Sequence, residues 1–244
     1  MTHIEIILSF IIFVTAVGFA LYFFSPTRTS RLVDTSLEYV ERELAENASV
    51  ILKTYSIIVN NTGYQIPSNV IAIEIDNLCG NLDNVIIAEN ISGSKLNSKI
   101  KGSNSNKCPN VNENKIIVQN EWKEKDFIFI KVSEGIMQAE SSLGNAEVNN
   151  TYYQISTSDV KKLLSEKKLD DLNISYYQDY LSLKKEFNIP GRVNFGFKIT
   201  LSDKIISAER FIPSGLEVYS KIKRIEILRR NGEIEYADLT LKVW

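Results

Sequence analysis

Apolar residues follow several different periods along this chain. Residues 6–24 (IILSFIIFVTAVGFALYFF) form one uncharged apolar block. About 19 residues rise roughly 28 Å as a helix, enough to match a bilayer core. Ser25-Pro26 should break or kink that helix. Over 27–47 the period changes: Val33, Leu37, Val40 and Leu44 recur at spacings of 4, 3 and 4. That is the apolar stripe of a second helix, with Arg31, Asp34, Glu38, Glu41 and Arg42 on its other faces.

Beyond Ser49 the pattern becomes that of strands. Ile-, Val- and Phe-rich runs lie at 50–59, 70–75, 84–88, 115–118 and 127–132. The polar stretch 92–114, carrying Lys95, Lys99, Lys101 and Lys107, reads as a solvated surface loop. Residues 158–172 read as a helix capped by Ser158, with Val160, Leu163 and Leu164 on its apolar side. A second short helix is expected over 175–187, where Tyr176, Tyr180, Leu183 and Phe187 form an aromatic core stripe stopped by Asn188-Ile189-Pro190-Gly191. The runs 224–230 and 233–243 flank Asn231-Gly232, the signal of a two-residue hairpin turn.

These elements predict an α+β fold: a long N-terminal transmembrane and stalk helix, then a mostly antiparallel β-rich soluble domain with two short helices. Residues 1–47 would form anchor and amphipathic stalk, and 48–244 the extracellular β-rich domain, with a candidate subdomain break at 135–150.

A cleaved secretory signal is the competing reading of the apolar block. It needs basic residues before the block and small residues at its end. Here none precedes it, and it closes on Leu21, Tyr22, Phe23 and Phe24, so a retained anchor is expected. Glu5 opens the block without a basic neighbour. A carboxylate at that depth needs a partner, either the positive end of the helix or an α-amino group of its own or a neighbouring chain.

Met1-Thr2-His3-Ile4-Glu5, followed by an uninterrupted apolar helix, resembles the start of a mature type IV pilin-like subunit. The run Ile-Glu-Ile-Ile-Leu-Ser-Phe-Ile-Ile-Phe resembles archaeal pilin-like proteins of the class III signal-peptide type. The likeness covers roughly residues 1–30. It implies that Met1 is the methylated first residue left by leader removal, and that Glu5 pairs with the N-terminal amine of an adjacent subunit during filament assembly. No leader precedes Met1, so Met1 stands either as that processed residue or as the initiator. The soluble part is larger than in most archaeal major pilins, which implies a minor, tip or adhesive subunit.

Charge and cysteine content narrow the setting. A net charge of −2 gives no basic field for nucleic acid. Cys79 and Cys108 are a candidate disulfide, worth roughly 3–4 kcal/mol if formed; two buried thiols are the alternative. Arg28 and Arg31 after the block vote for an internal C-terminal domain, whereas five candidate glycosylation sequons (Asn47, Asn60, Asn90, Asn149 and Asn173) and the cysteine pair vote for an external one. The outside is favoured, at the cell membrane or in an extracellular filament.

The only histidine is His3, so no Ser–His or Cys–His site can form in the soluble part, and no Gly-rich nucleotide loop is present. Ser-x-x-Lys occurs at Ser158/Lys161, Ser98/Lys101 and Ser182/Lys185, leaving a Ser/Lys membrane hydrolase as a minor alternative. No enzyme, cofactor or metal is otherwise expected. The leading expectation is a filament subunit whose partners are membrane lipid and copies of itself or other pilin-like subunits. The main alternative is a single-pass anchored binding module with an extracellular ligand.

Overall fold

Strands in this protein are held by the neighbours they pair with, several of them distant in the chain. The computed structural model describes residues 3–23, 27–63 and 66–244, with side chains over 7–21, 35–63 and 66–244. Two helices come first, α1 (His3–Phe23) and α2 (Thr27–Ala48). Six strands follow: β1 (Ser49–Asn60), β2 (Val70–Glu74), β3 (Val85–Asn90), β4 (Lys95–Ile100), β5 (Lys115–Gln119) and β6 (Lys125–Ser133). The long β7 (Tyr153–Ser165) runs directly into α3 (Glu166–Gln178) and α4 (Tyr180–Glu186). Strands β8 (Phe195–Thr200), β9 (Ile205–Ala208), β10 (Tyr219–Leu228) and β11 (Ile234–Val243) end the chain.

Eleven strands form a sheet of order β2-β5-β4-β3-β6-β1-β7-β10-β11-β8-β9. Strand β4 bonds β3 through Lys95 and Leu96, then β5 through residues 97–100. The change of partner folds β2 and β5 back over the main sheet. Ile71 and Ile73 of β2 and Ile116 and Val118 of β5 therefore share a buried core with Ile57 and Val59 of β1, Ile86 of β3 and Ile128 and Ile130 of β6. This first half is strand packed on strand.

The second half is helix packed on strand. Leu37, Val40, Leu44 and Ala48 of α2, Leu169 and Tyr176 of α3, and Tyr180 and Leu183 of α4 cover Phe195, Phe197, Ile199, Leu239 and Leu241. The expected α2 stripe is thus buried from Leu37 to Leu44, while the side chain of Val33 lies outside the described residues. The aromatic stripe is core, as expected: Tyr176 and Phe187 are fully buried. Tyr176 donates its hydroxyl to the Phe195 carbonyl at 2.7 Å, and burial pushes its phenol well above the ordinary value.

The halves meet at a narrow joint. Strands β7 and β10 run parallel and pair only at Leu164↔Ile227 and Ser165↔Leu228. Across the joint Val50, Leu52, Val85, Ile87, Ile136, Leu163 and Leu228 pack together. Two glycines lie directly against side chains of the joint. A Cβ on Gly135 would lie 2.8 Å from Ser165 Oγ. One on Gly232 would lie 2.1 Å from Ile87 Cδ1, and Gly232 also needs a φ of +88°.

Several expectations are corrected. The fold is mostly β with four helices, and the long transmembrane stalk helix is not found: among the described residues no helix is long and apolar enough to cross a membrane. The Ser25-Pro26 break lies outside the described residues. The helix expected at 158–172 begins at Glu166, because β1 pairs with β7 as far as Leu164 and holds 158–165 extended. The cap is Ser165, whose hydroxyl accepts from the Lys168 amide, and not Ser158. The second helix expected at 175–187 instead divides between the end of α3 and α4, parted at Asp179, whose carboxylate caps α4 by accepting from the Ser182 amide at 3.0 Å. The polar loop 92–114 contains β4, with Lys99 buried. The last hairpin turns through three residues, since Leu228 faces Ile234 and the Arg229 amide bonds the Glu233 carbonyl at 2.8 Å; Gly232 takes the left-handed position of a bulge.

Candidate functional site

Three features stand out once the fold is in place. The first is the apolar surface of α1. Every described side chain from 7 to 21 is exposed, including Phe10 at 66% and Leu21 at 69%. Helix α2 has nearly the same length but hides its apolar stripe on β10 and β11. Nothing described in this chain does the same for α1.

The second is a charged seam over the joint. The start of α3 supplies Glu166 and Asp170, the β8–β9 turn Asp203 and Lys204, the β10–β11 turn Arg229 and Arg230, and the start of β11 Glu235. Glu166 Oε2 accepts from Arg229 Nε at 2.7 Å and from the Arg230 amide at 3.0 Å, and Glu166 Oε1 pairs with Lys204 Nζ at 2.7 Å. Arg229 also grips Asp203 through both terminal nitrogens and donates to Glu235. Lys204 and Arg230 share Asp170 at 3.0 Å. Burial pushes the Glu166 carboxyl up, but Lys204, the Arg230 amide and Arg229 outweigh it and hold the group below its ordinary range. Asp203 is likewise held low by the Arg229 guanidinium. The seam satisfies itself, with carboxylates and cations alternating, so its chemistry is that of a clamp. Among the described residues no cluster of three or more His, Cys, Asp or Glu could hold a metal ion.

The third is a fork in the sheet. Below the two-residue joint, β7 and β10 diverge, and between them lies a cleft of about 390 Å³. The cleft is lined by Leu44, Leu163, Leu164, Ile225 and Leu239, by the cations Lys162, Lys223 and Arg224, and by the carboxylates Glu41 and Glu226.

The residues singled out in the sequence fall as follows. Met1 and the side chain of Glu5 lie outside the described residues. Cys79 and Cys108 form a disulfide with Cα atoms 5.6 Å apart, buried beside Leu78 and Trp122. Among the sequons, Asn60 and Asn149 are exposed. The Asn47 amide donates to the Glu43 carbonyl at 2.9 Å, and Asn90 caps the β3–β4 turn by accepting from the Ser92 and Ser94 amides. Asn173 is half-buried on α3, with a buried Oδ1 lacking a partner. Ser158 and Lys161 lie three residues apart on a strand and so on opposite faces, which no Ser/Lys dyad tolerates. Lys101 and Lys107 reach Glu147 and Asp83 at 3.7 and 3.6 Å. The fork was missed because its residues belong to segments read as a helix and as a hairpin arm; a run of polar residues without period was its only trace. No protein-family model, no curated protein and no solved structure matches this chain.

Proposed function

We propose that this protein is a structural subunit of a surface filament, pilin-like and of the minor or adhesive kind, assembled through α1 with its β-rich part facing outward from the cell. The observation that carries the reading is the unbroken exposed apolar surface of α1. It amounts to on the order of 1,000 Å² of apolar area, where a lone soluble chain ordinarily leaves a few hundred Å² in one patch. Helices apolar on every side are covered by something else. Copies of α1 packed side by side provide that cover, and the residues around Glu5 are those by which the sequence resembles type IV pilin-like subunits. The Cys79–Cys108 disulfide suits an oxidising compartment outside the cytosol.

The test is incorporation into filaments sheared from cells. Phe13→Asp should leave the β part folded, as judged by its thermal transition, and abolish recovery in the sheared fraction. Glu5→Ala should lower recovery with the fold intact. Recovery of the wild-type chain solely with membrane lipid, never in filaments, would replace this reading with that of a binding module held at a lipid surface.

A further inference from the structure

We propose that the fork between β7 and β10 is a strand-addition site for an extended segment of a partner protein, one with an apolar side chain flanked by acidic ones. The observations come from both arms. Strand β7 has β1 along one side, and among the described residues no strand along the other until Leu164. Its residues 154–162 are exposed at every position, a run in which neither face is covered. Strand β10 has β11 on one side and is likewise free of β7 until Ile227. Two edges that converge on one joint thus present main-chain donors and acceptors to the same gap. An extended peptide laid along β7 continues the sheet with bonds that any sequence can make.

Side chains then set which sequence is taken. The apolar lining of the cleft, Leu44, Leu163, Leu164, Ile225 and Leu239, receives one apolar side chain of the added strand. Lys162 lines the cleft, while its neighbour Lys161 points to the opposite face of the same open arm beside Asp159; among the described residues neither forms an ion pair, in contrast to Lys223, which Glu41 holds at 2.6 Å. Lysines on an edge normally keep other strands away. Here they act selectively: Lys162, Lys223 and Arg224 outnumber the cleft's own carboxylates, Glu41 and Glu226, so a basic edge adds to the excess positive charge and an acidic one neutralises it. The irregular register at Ser56/Ile57 leaves the segment of β7 beyond Thr157 in regular pairing with β1, so its outer edge is regular as well.

The site lies apart from α1 and is tested without filaments. The probe is a fluorescent synthetic peptide alternating glutamate and valine around a central leucine, titrated against the full chain in detergent and followed by anisotropy. Saturable binding in the micromolar range is expected. A peptide with lysine for glutamate, and one interrupted by prolines that cannot donate main-chain bonds, should each bind at least tenfold more weakly. The double variant Lys161→Glu/Lys162→Glu, at two exposed positions, should keep its thermal transition and invert the preference toward the lysine peptide. Amide exchange over 156–162 should slow in the complex. No saturable binding, equal affinity for the proline peptide, or an unchanged preference in the double variant overturns the proposal. So does concentration-dependent self-association that already protects 156–162, which would make a second copy the occupant.

Discussion

The two halves of the sheet solve the same problem with different materials. In the first half, β2 and β5 fold over β1, β3 and β6, so that strand side chains of Ile and Val meet across two layers. In the second half the cover is helical, and the interior is aromatic: Tyr180 stacks on Phe195 at 5.7 Å, Phe187 stacks on Phe195 at 5.6 Å, and Tyr176 meets Phe195 edge-on. One half is closed by a disulfide, the other by packing. The contrast shows that one continuous hydrogen-bonded sheet can carry two separately packed cores. Two residue pairs of β7 and β10 and the apolar cluster of Val50, Leu52, Val85, Ile87, Ile136, Leu163 and Leu228 join these halves, with the charged seam lying over the β7–β10 joint on the second half's side, and variants in each half show whether the joint transmits instability.

The largest effect is expected from Phe195→Ala. It removes the ring at the centre of the aromatic cluster and should cost about 3–5 kcal/mol in denaturant unfolding. Amide exchange should accelerate in β8, β10 and β11 well before β1 and β6. Equal acceleration throughout would show a single cooperative unit.

Removing the disulfide with Cys79→Ala/Cys108→Ala is the complementary experiment, since the bridge closes a loop with a sequence separation of 29. A loss of about 3 kcal/mol is expected from the freed chain entropy. Exchange should rise around β2, β3 and β5 and leave α3 and α4 protected; the reverse pattern would refute the division into halves.

The joint itself is probed by Glu166→Gln, expected to cost about 2 kcal/mol through lost charge-assisted bonds. Because the folded Glu166 carboxyl titrates below its ordinary 4.5, its contribution is fully present above that pH and is lost as pH falls through the lower folded value. Wild-type stability should therefore drop in acid below about pH 4.5 more steeply than that of the Gln variant. Parallel pH profiles would remove the seam from the account.

Legibility in the sequence followed periodicity. Strands β1, β2, β3, β5 and β6 were readable because each has an Ile- or Val-rich run, and each is buried against the opposing layer. The Tyr176-Tyr180-Leu183-Phe187 stripe was readable because its helical spacing survives the break at Asp179. Strand β7 was not. Its polar middle, Ser156 to Lys162, has no apolar period because neither face is buried, and it is a strand only because β1 supplies partners from far along the chain. Strand β4 was lost for a related reason: Lys95, Asn97 and Lys99 carry the chemistry of a loop, and pairing with β5 overrides it. The charged seam drew no signal at all, because its members lie up to 69 positions apart in chain numbering, from Glu166 to Glu235.

The sequence by itself determined the elements with strong local period: an apolar N-terminal helix, an amphipathic α2, the Ile- and Val-rich strands and the terminal hairpin with glycine at its bend. Local spacing suffices there, since burying one face of a regular element needs no knowledge of which neighbour buries it. The tertiary structure alone decided that α2 finds its cover on β10 and β11 whereas α1 finds none among the described residues. It also decided that β7 is a strand, that the sheet divides into two cores, and that β7 and β10 part to leave two open edges. Each of these depends on hydrogen bonds and contacts between residues distant in the chain, and no local pattern encodes such a partner.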